Sequence, residues 1–382
     1  MICAFGSFST VFAMTLMLPF LPLYIEELGV KEHTKIIQWS GIAYSAMFIS
    51  AGLIAPVWGK LGDLYGRKAM LIRASFGMTV MVFLMGFVST IGQLITCLLI
   101  IGLAGGYSSG STILIATQTP KEKSGWALSI IASSVMGGSL LGPLAGGYMP
   151  MIFGIRPTFW SASVFICITF FLTLCFLQEK HQMNNRKKNK LIYWKNIPNK
   201  SMILCMLFTG FLLTFANLSI EPILPLYVGS LLKDQENITK VTGIVLAVTA
   251  FGSILSATYL GRLADKIGHQ KIIIFSLFTA SILLIPQAFV TTTWQLIGLR
   301  FLMGISLGGL LPCIASVIRH SLPETVVGTV LGFSISAQFF GQFLGPLLGG
   351  FAGSYLGFHS IFICTSILLL IGAISNWKIK HL

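Results

Sequence analysis

Two ionisable residues stand alone inside long apolar stretches, Glu221 and Arg300. A carboxylate or guanidinium in such a place is costly unless it is paired or faces water, so each is a candidate for binding or moving charge. Thr214, Asn217 and Glu221 fall at i, i+3 and i+7, on one face of a helix, where they could line a polar path. Glu221 precedes the end of its apolar run, and Arg300 follows the start of its own, by about six residues, which places each about 9 Å deep at 1.5 Å per residue. If both ends lie on the same side, the two can meet. The chemistry open to them is proton binding by Glu221, tuned by burial and by Arg300, or a structural ion pair.

Other chemistry is poorly provided for. All six histidines (His33, His181, His269, His320, His359, His381) fall in or beside polar breaks, which leaves no apolar pair to hold haem or copper. The seven cysteines are scattered singly without metal-ligand spacing and read as small hydrophobes. No phosphate-binding GxxxxGK[ST] loop occurs, and no cluster of His, Asp, Cys or Ser has catalytic spacing. The expectation is a protein that is not an enzyme and carries no metal or cofactor.

The elements that must position Glu221 and Arg300 follow from composition. Of 382 residues, 55% are hydrophobic and 9% charged, against about 25% charged in a soluble domain. Mean hydropathy is +0.86. The apolar stretches run unbroken, without the period-two alternation of a β-barrel. With about 20 residues per spanning helix, twelve spans and their connections fill the chain. Polar punctuation sets them at 4–25, 36–58, 69–88, 92–117, 126–148, 157–177, 202–227, 241–260, 271–290, 294–318, 326–350 and 357–377. The chain opens inside the first span with no basic n-region or cleavage site, which leaves room for a short polar leader upstream. Between the sixth and seventh spans lies a basic stretch with Lys180, Arg186, Lys187, Lys188, Lys190, Lys195 and Lys200. It reads as a cytoplasmic linker (179–200) between halves 1–178 and 201–382.

Alternating the connections puts nineteen Lys and Arg on one side and five on the other, so the positive-inside rule makes both termini and the linker cytoplasmic. The formal charge of +14 then resides wholly on the cytoplasmic face: the external face sums to zero, and Glu221 and Arg300 cancel inside the membrane. A basic surface so placed faces anionic lipid and does not call for nucleic acid.

The halves repeat each other at an offset of 202 or 203 residues. Pro19-Phe20-Leu21-Pro22-Leu23-Tyr24 returns as Pro222-Ile223-Leu224-Pro225-Leu226-Tyr227, and Gly59-Lys60-Leu61-Gly62-Asp63-Leu64-Tyr65-Gly66 as Gly261-Arg262-Leu263-Ala264-Asp265-Lys266-Ile267-Gly268. Gly138, Gly142, Pro143, Gly146 and Gly147 answer to Gly341, Gly345, Pro346, Gly349 and Gly350. An even number of spans separates the copies, so their pseudo-two-fold axis lies along the membrane normal.

With these elements in view, the chain resembles the major facilitator superfamily over nearly its whole length. The Gly-x-Leu-x-Asp-x-x-Gly-Arg-Lys element at Gly59 to Lys68 is a specific signature there. Gly138-x-x-x-Gly142-Pro143-x-x-Gly146-Gly147 and Pro19-x-x-Pro22 resemble the drug:proton antiporter branch, and Lys123-Ser124-Gly125-Trp126-Ala127-Leu128 resembles its multidrug efflux members. The resemblance implies an all-α membrane protein of twelve transmembrane helices in two six-helix bundles, working by alternating access. It implies that Gly59, Asp63, Gly66 and Arg67, with Gly261 and Asp265 as a weaker copy, form a conformational latch between the halves. By residue type alone, Asp63 could equally cap a helix or pair with Arg67. The glycines of spans 5 and 11 serve helix packing or, as the branch resemblance favours, bending between the halves. An acidic residue at the place of Glu221 resembles a proton-coupling position of the branch. Where the family usually carries an arginine in span 4, this chain has Leu98, and only the repeat copy, Arg300, remains.

Polar cavity candidates at helical spacing are Ser40 and Tyr44, Ser334, Gln338 and Gln342, and Thr214 and Asn217, among Phe211, Phe215, Phe333 and Phe340. Such a lining suits amphipathic or lipophilic organic compounds, cationic ones included, better than sugars or anions. The expected function is proton-driven export of such compounds from the cell's inner membrane by a monomer, with protons and lipid as its other partners. A dedicated metabolite or siderophore exporter and a non-transporting sensor or scaffold are the alternatives.

Overall fold

The computed structural model describes residues 1–179, 200–232 and 237–380; the basic run from Lys180 to Lys195 lies outside them. Their regular structure is helical. The first half holds α1 (Ile2–Leu16), α2 (Leu21–Glu27), α3 (His33–Tyr65), α4 (Arg67–Met85), α5 (Ile91–Ala104), α6 (Tyr107–Gln118), α7 (Lys121–Phe153) and α8 (Ile155–Phe176). The second holds α9 (Lys200–Ile220), a 3-10 turn (Glu221–Ile223), α10 (Leu224–Leu231), α11 (Ile238–Ile267), α12 (His269–Gln287), α13 (Thr293–Leu307), α14 (Leu310–His320), α15 (Glu324–Leu356) and α16 (Phe358–Lys380). Among the described residues, eleven helical segments are long and apolar enough to cross a membrane, and the pair α1–α2, bent by 54°, makes a twelfth. The chain is a multi-pass membrane protein. Large apolar side chains such as Phe76, Phe165, Phe171, Phe275, Ile282 and Leu302 are exposed on its surface, as suits a chain whose solvent is lipid.

The expected unbroken spans differ from the structure at four places, and the repeat relates the four in pairs. The first and seventh spans break at Pro19-x-x-Pro22 and Pro222-x-x-Pro225, because proline supplies no backbone N–H and crowds the preceding turn. The fourth and tenth break at Gly105-Gly106 and Gly308-Gly309; Gly106 adopts φ +100°, a conformation few other residues hold.

The duplication extends to single contacts. Tyr24 Oη donates to the Met85 carbonyl at 2.6 Å and Tyr227 Oη to that of Gln287 at 2.7 Å. The Tyr24 ring lies 5.3 Å from Phe159, and the Tyr227 ring 5.1 Å from Phe362. Thr90 and Thr292 cap α5 and α13 through the backbone N–H of Gln93 and Gln295.

Contacts divide the chain into two units, Met1–Asn185 with Lys233–Ala247, and Arg186–Leu232 with Val248–Leu382. In the first, α1 packs on α7 and α8, and α4 on α5 and α8. In the second, α9 packs on α15 and α16, and α12 on α13, α14 and α16.

Candidate functional site

Pro222 sets the local geometry of the first candidate. It ends α9 at Ile220, so Glu221 opens the 3-10 turn with its side chain half-buried. Arg300 is the eighth residue of α13 and only 3% exposed. The two charges interact electrostatically, but no ion-pair contact joins them among the described residues. Arg300 Nε and Nη2 are buried without a hydrogen-bond partner. The charge of Arg300 also acts on Tyr227, whose hydroxyl is held on the Gln287 carbonyl.

Gln287 completes this polar group and was not among the residues read from the sequence. It closes α12, is 0% exposed, and donates from Nε2 to the Leu283 carbonyl at 3.0 Å with Met303 Sδ at 3.6 Å. Its Oε1 is buried without a partner. The repeat holds the signal that could have found it: Glu221, Gln287 and Arg300 answer to Leu18, Met85 and Leu98. Leu98 is fully buried, so the second unit places a charged and polar group where the first has apolar core.

At the signature element, α3 ends at Tyr65, the chain turns at Gly66 (φ +92°) and α4 begins at Arg67. Glu179 accepts from the backbone N–H of Arg67 at 2.8 Å and Lys68 at 2.7 Å, which caps the first turn of α4. The capping offered to Asp63 by residue type is thus supplied by Glu179; the Asp63 side chain lies outside what the structure describes. The Arg67 side chain lies over Gly62, where a Cβ would come within 2.9 Å of its guanidinium. In the second copy Gly268 turns at φ +101°, and His269 Nε2 stands 3.4 Å from Asp265 Oδ1. Gln270 Nε2 donates to the Asn376 carbonyl at 3.1 Å. A Cβ at Gly59 or Gly261 would meet nothing within 4 Å.

A further charge inside a span was counted with the loops. Arg73 is the seventh residue of α4, and its Nη2 donates to the carbonyls of Ala104 and Gly105, 3.2 and 2.9 Å away, at the break between α5 and α6. Its guanidinium lies 3.5 Å from the centre of the Trp58 ring, and Trp58 Nε1 donates to the Leu103 carbonyl at 2.7 Å. Arg73 and Trp58 thereby occupy carbonyls that the broken helix leaves free.

Gly138, Gly142 and Gly146 fall at i, i+4 and i+8 on α7 and pack on the α1 backbone; a Cβ at Gly146 would collide with the Leu16 carbonyl. Gly341, Gly345 and Gly349 pack on α9 in the same way, against Phe211, Phe215 and Ser219. Gly147 is met by the backbone of Thr239 and Gly243, and Gly243 by the Pro143 carbonyl. These glycines make close helix contacts inside their units.

The cavity candidates separate by exposure. Tyr44 is 1% exposed and donates to the Leu18 carbonyl at 3.1 Å. Thr214 is buried and bridges α9 to α15 through the Gln338 carbonyl at 3.0 Å. Asn217, Gln338 and Gln342 are half-exposed, and Phe211 stacks on Phe208 and lies tilted against Phe215. Asn217 and Glu221 remain one turn apart on adjoining segments of the same span.

The family model described as Major Facilitator Superfamily matches residues 3–239 and 233–379. A relative from Proteus mirabilis, described as multidrug resistance protein MdtG, is 35% identical over 98% of this chain and 93% of its own length. One from Citrobacter koseri with the same description is 37% identical over 98% of this chain and 92% of its own. Among solved structures, a D-xylose-proton symporter covers 99% of this chain and 96% of its own, with a TM-score of 0.79 at 13% identity, a likeness of fold.

Proposed function

The chain belongs to the Major Facilitator Superfamily, and on that premise we propose that it exports amphipathic or lipophilic organic compounds, cationic ones among them, in exchange for protons. Two six-helix bundles, residues 1–178 and 201–382, alternate access to a site near the membrane midplane, joined by the basic linker 179–200. The protein works as a monomer in the inner membrane, with its termini, linker and eighteen of its basic residues facing the cytoplasm; Arg73, inside α4, is not among them. The relatives named for multidrug resistance support the substrate class. So do Asn217, Gln338 and Gln342, half-exposed on α9 and α15, the two helices that also carry Phe211, Phe215 and Phe340, which offer apolar surface and neutral polar groups without a fixed sugar or anion geometry.

The observation that carries the proton-coupled reading is the second unit's polar group. Glu221 and Arg300 interact inside an apolar bundle without an ion-pair contact, at positions whose repeat counterparts are leucines. A carboxyl there has a reason to exist if it changes charge during the cycle. Glu221 takes up a proton from outside, the neutral carboxyl releases its hold on Arg300, and return of the proton to the cytoplasm restores the attraction. With Leu98 in place of the span-4 arginine, coupling resides in the C-terminal half. The latch of Gly59, Asp63, Gly66 and Arg67, with Gly261 and Asp265, closes the cytoplasmic side. The glycine ridge of Gly138, Gly142 and Gly146 holds α1 and α7 together as one rigid surface, whereas Pro143 and Gly147 meet α11.

Reconstitution into proteoliposomes tests the proposal. Tetraphenylphosphonium and ethidium should be moved when a pH gradient is imposed, with mutual competition, and transport should stop when the gradient is collapsed. Transport of a single metabolite without competition, or transport indifferent to the gradient, refutes it.

A further inference from the structure

We propose that Gln287 is a positioning residue for Arg300: its side-chain oxygen is the acceptor that takes the guanidinium when Glu221 is protonated. The inference rests on the proton-coupled role of Glu221 and adds the group that makes the exchange two-sided.

The amide of Gln287 has one orientation available. Nε2 donates to the Leu283 carbonyl at 3.0 Å and points at Met303 Sδ; turning the amide over would set two carbonyl oxygens face to face. Oε1 is left fully buried and without a partner, an unfavourable state for an acceptor. Met303 lies three residues beyond Arg300, on the same face of α13. Tyr227 ties the other side together, since its hydroxyl rests on the Gln287 carbonyl and its own electrostatics are coupled to Arg300. The group thus contains an unused acceptor on α12 and two unused donors on α13, Nε and Nη2. An arginine released by a neutral Glu221 needs such an acceptor, or its charge is stranded in the bundle.

The first half shows the arrangement without the function. Tyr24 makes the same hydrogen bond to residue 85, but that residue is Met85, and the place of the arginine is Leu98. Acceptor, donor and carboxyl occur together in one half and are absent together from the other.

Few other titratable groups bear on this site. The span-7 segment contributes Glu221 and Tyr227, and α13 contributes Arg300. From α16 comes His359, whose ring lies 5.9 Å from that of Phe289, and Cys364; α15 carries Tyr355 near its end. On α9 and α12 the titratable residues, Lys200, Cys205, His269 and Lys271, lie toward the opposite end of each helix, and α14 carries Cys313, with Arg319 and His320 in its last turn beside His269.

The test is the pH dependence of tetraphenylphosphonium affinity in the purified protein, which can be read in variants that no longer transport. Gln287→Met, the residue that the first half carries, should move the midpoint of that dependence by about half a pH unit or more. In an Arg300→Met background the same substitution should add no further shift, because the two act through one interaction. If the Met variant does not accumulate, Gln287→Asn, which withdraws the oxygen by one methylene, serves with the same expectation. An unmoved midpoint, or an equal shift with and without Arg300, overturns the inference. If Glu221→Gln leaves the affinity as pH-dependent as wild type, the coupling role falls and the inference with it. If Glu221→Gln abolishes that dependence while Gln287→Met changes nothing, Gln287 alone is refuted.

Discussion

Arg300→Met should make the protein more stable and less functional. Arg300 is 3% exposed, and its Nε and Nη2 are buried without partners, so the folded state retains two unsatisfied donors on a charged group. Each such donor costs about 1–3 kcal/mol. Methionine keeps the apolar stem and removes both donors and the charge. Against that gain stands the lost attraction to Glu221, which is made without an ion-pair contact. Replacing a buried charge by an apolar residue of similar shape is often stabilising, by about 1–4 kcal/mol. At ~2 °C per kcal/mol for a chain of this size, the unfolding temperature in detergent should rise by about 2–8 °C. Intrinsic tryptophan fluorescence during a thermal ramp reads this, and efflux measured in parallel should lose its response to a pH gradient. A fall of several degrees would refute the reasoning. It would show that the guanidinium is a satisfied member of a structural pair, whose rupture strands Glu221 at about 3–5 kcal/mol.

Gly146→Ala should lower the yield of folded protein sharply, since its Cβ meets the Leu16 backbone and overpacking costs about 1–3 kcal/mol, whereas Gly261→Ala, with open space around it, should fold as wild type. Size-exclusion profiles of the two variants check the contrast. Arg73→Lys should destabilise by about 1–2 kcal/mol, because the lysine ammonium cannot lie flat on the Trp58 ring while reaching the Ala104 and Gly105 carbonyls that Arg73 Nη2 holds. An unchanged unfolding temperature would remove that account. Glu179→Ala uncaps the first turn of α4 and should cost about 1 kcal/mol, read in the same thermal ramp.

Twelve apolar runs, their duplication and the charge asymmetry were legible because each depends on composition summed over about 20 residues. Finer features depended on single backbone groups. Pro19-x-x-Pro22 and Gly105-Gly106 were visible as motifs, yet whether a proline or glycine merely kinks a helix or breaks it depends on which neighbours receive the freed carbonyls. Arg73 falls within the 69–88 run, yet the charge count places it with the loops. Ala104, Gly105 and Trp58, which let it sit inside α4, are distant in sequence. Gln287 escaped because it bears no charge. Aligning the repeat for polar residues opposite apolar ones would have marked it together with Glu221 and Arg300. Depth alone brings Glu221 and Arg300 to one level; it does not say whether the guanidinium sits on the carboxylate, and no ion-pair contact joins them among the described residues.

If Glu221 carries the coupled proton while residue 98 is leucine, drug binding must displace that proton. Adding tetraphenylphosphonium to the purified protein in weakly buffered detergent solution, with a pH-sensitive dye present, records the release. Wild type should release close to one proton per drug bound, and Glu221→Gln should bind the drug and release none. Equal release from both proteins would contradict the account.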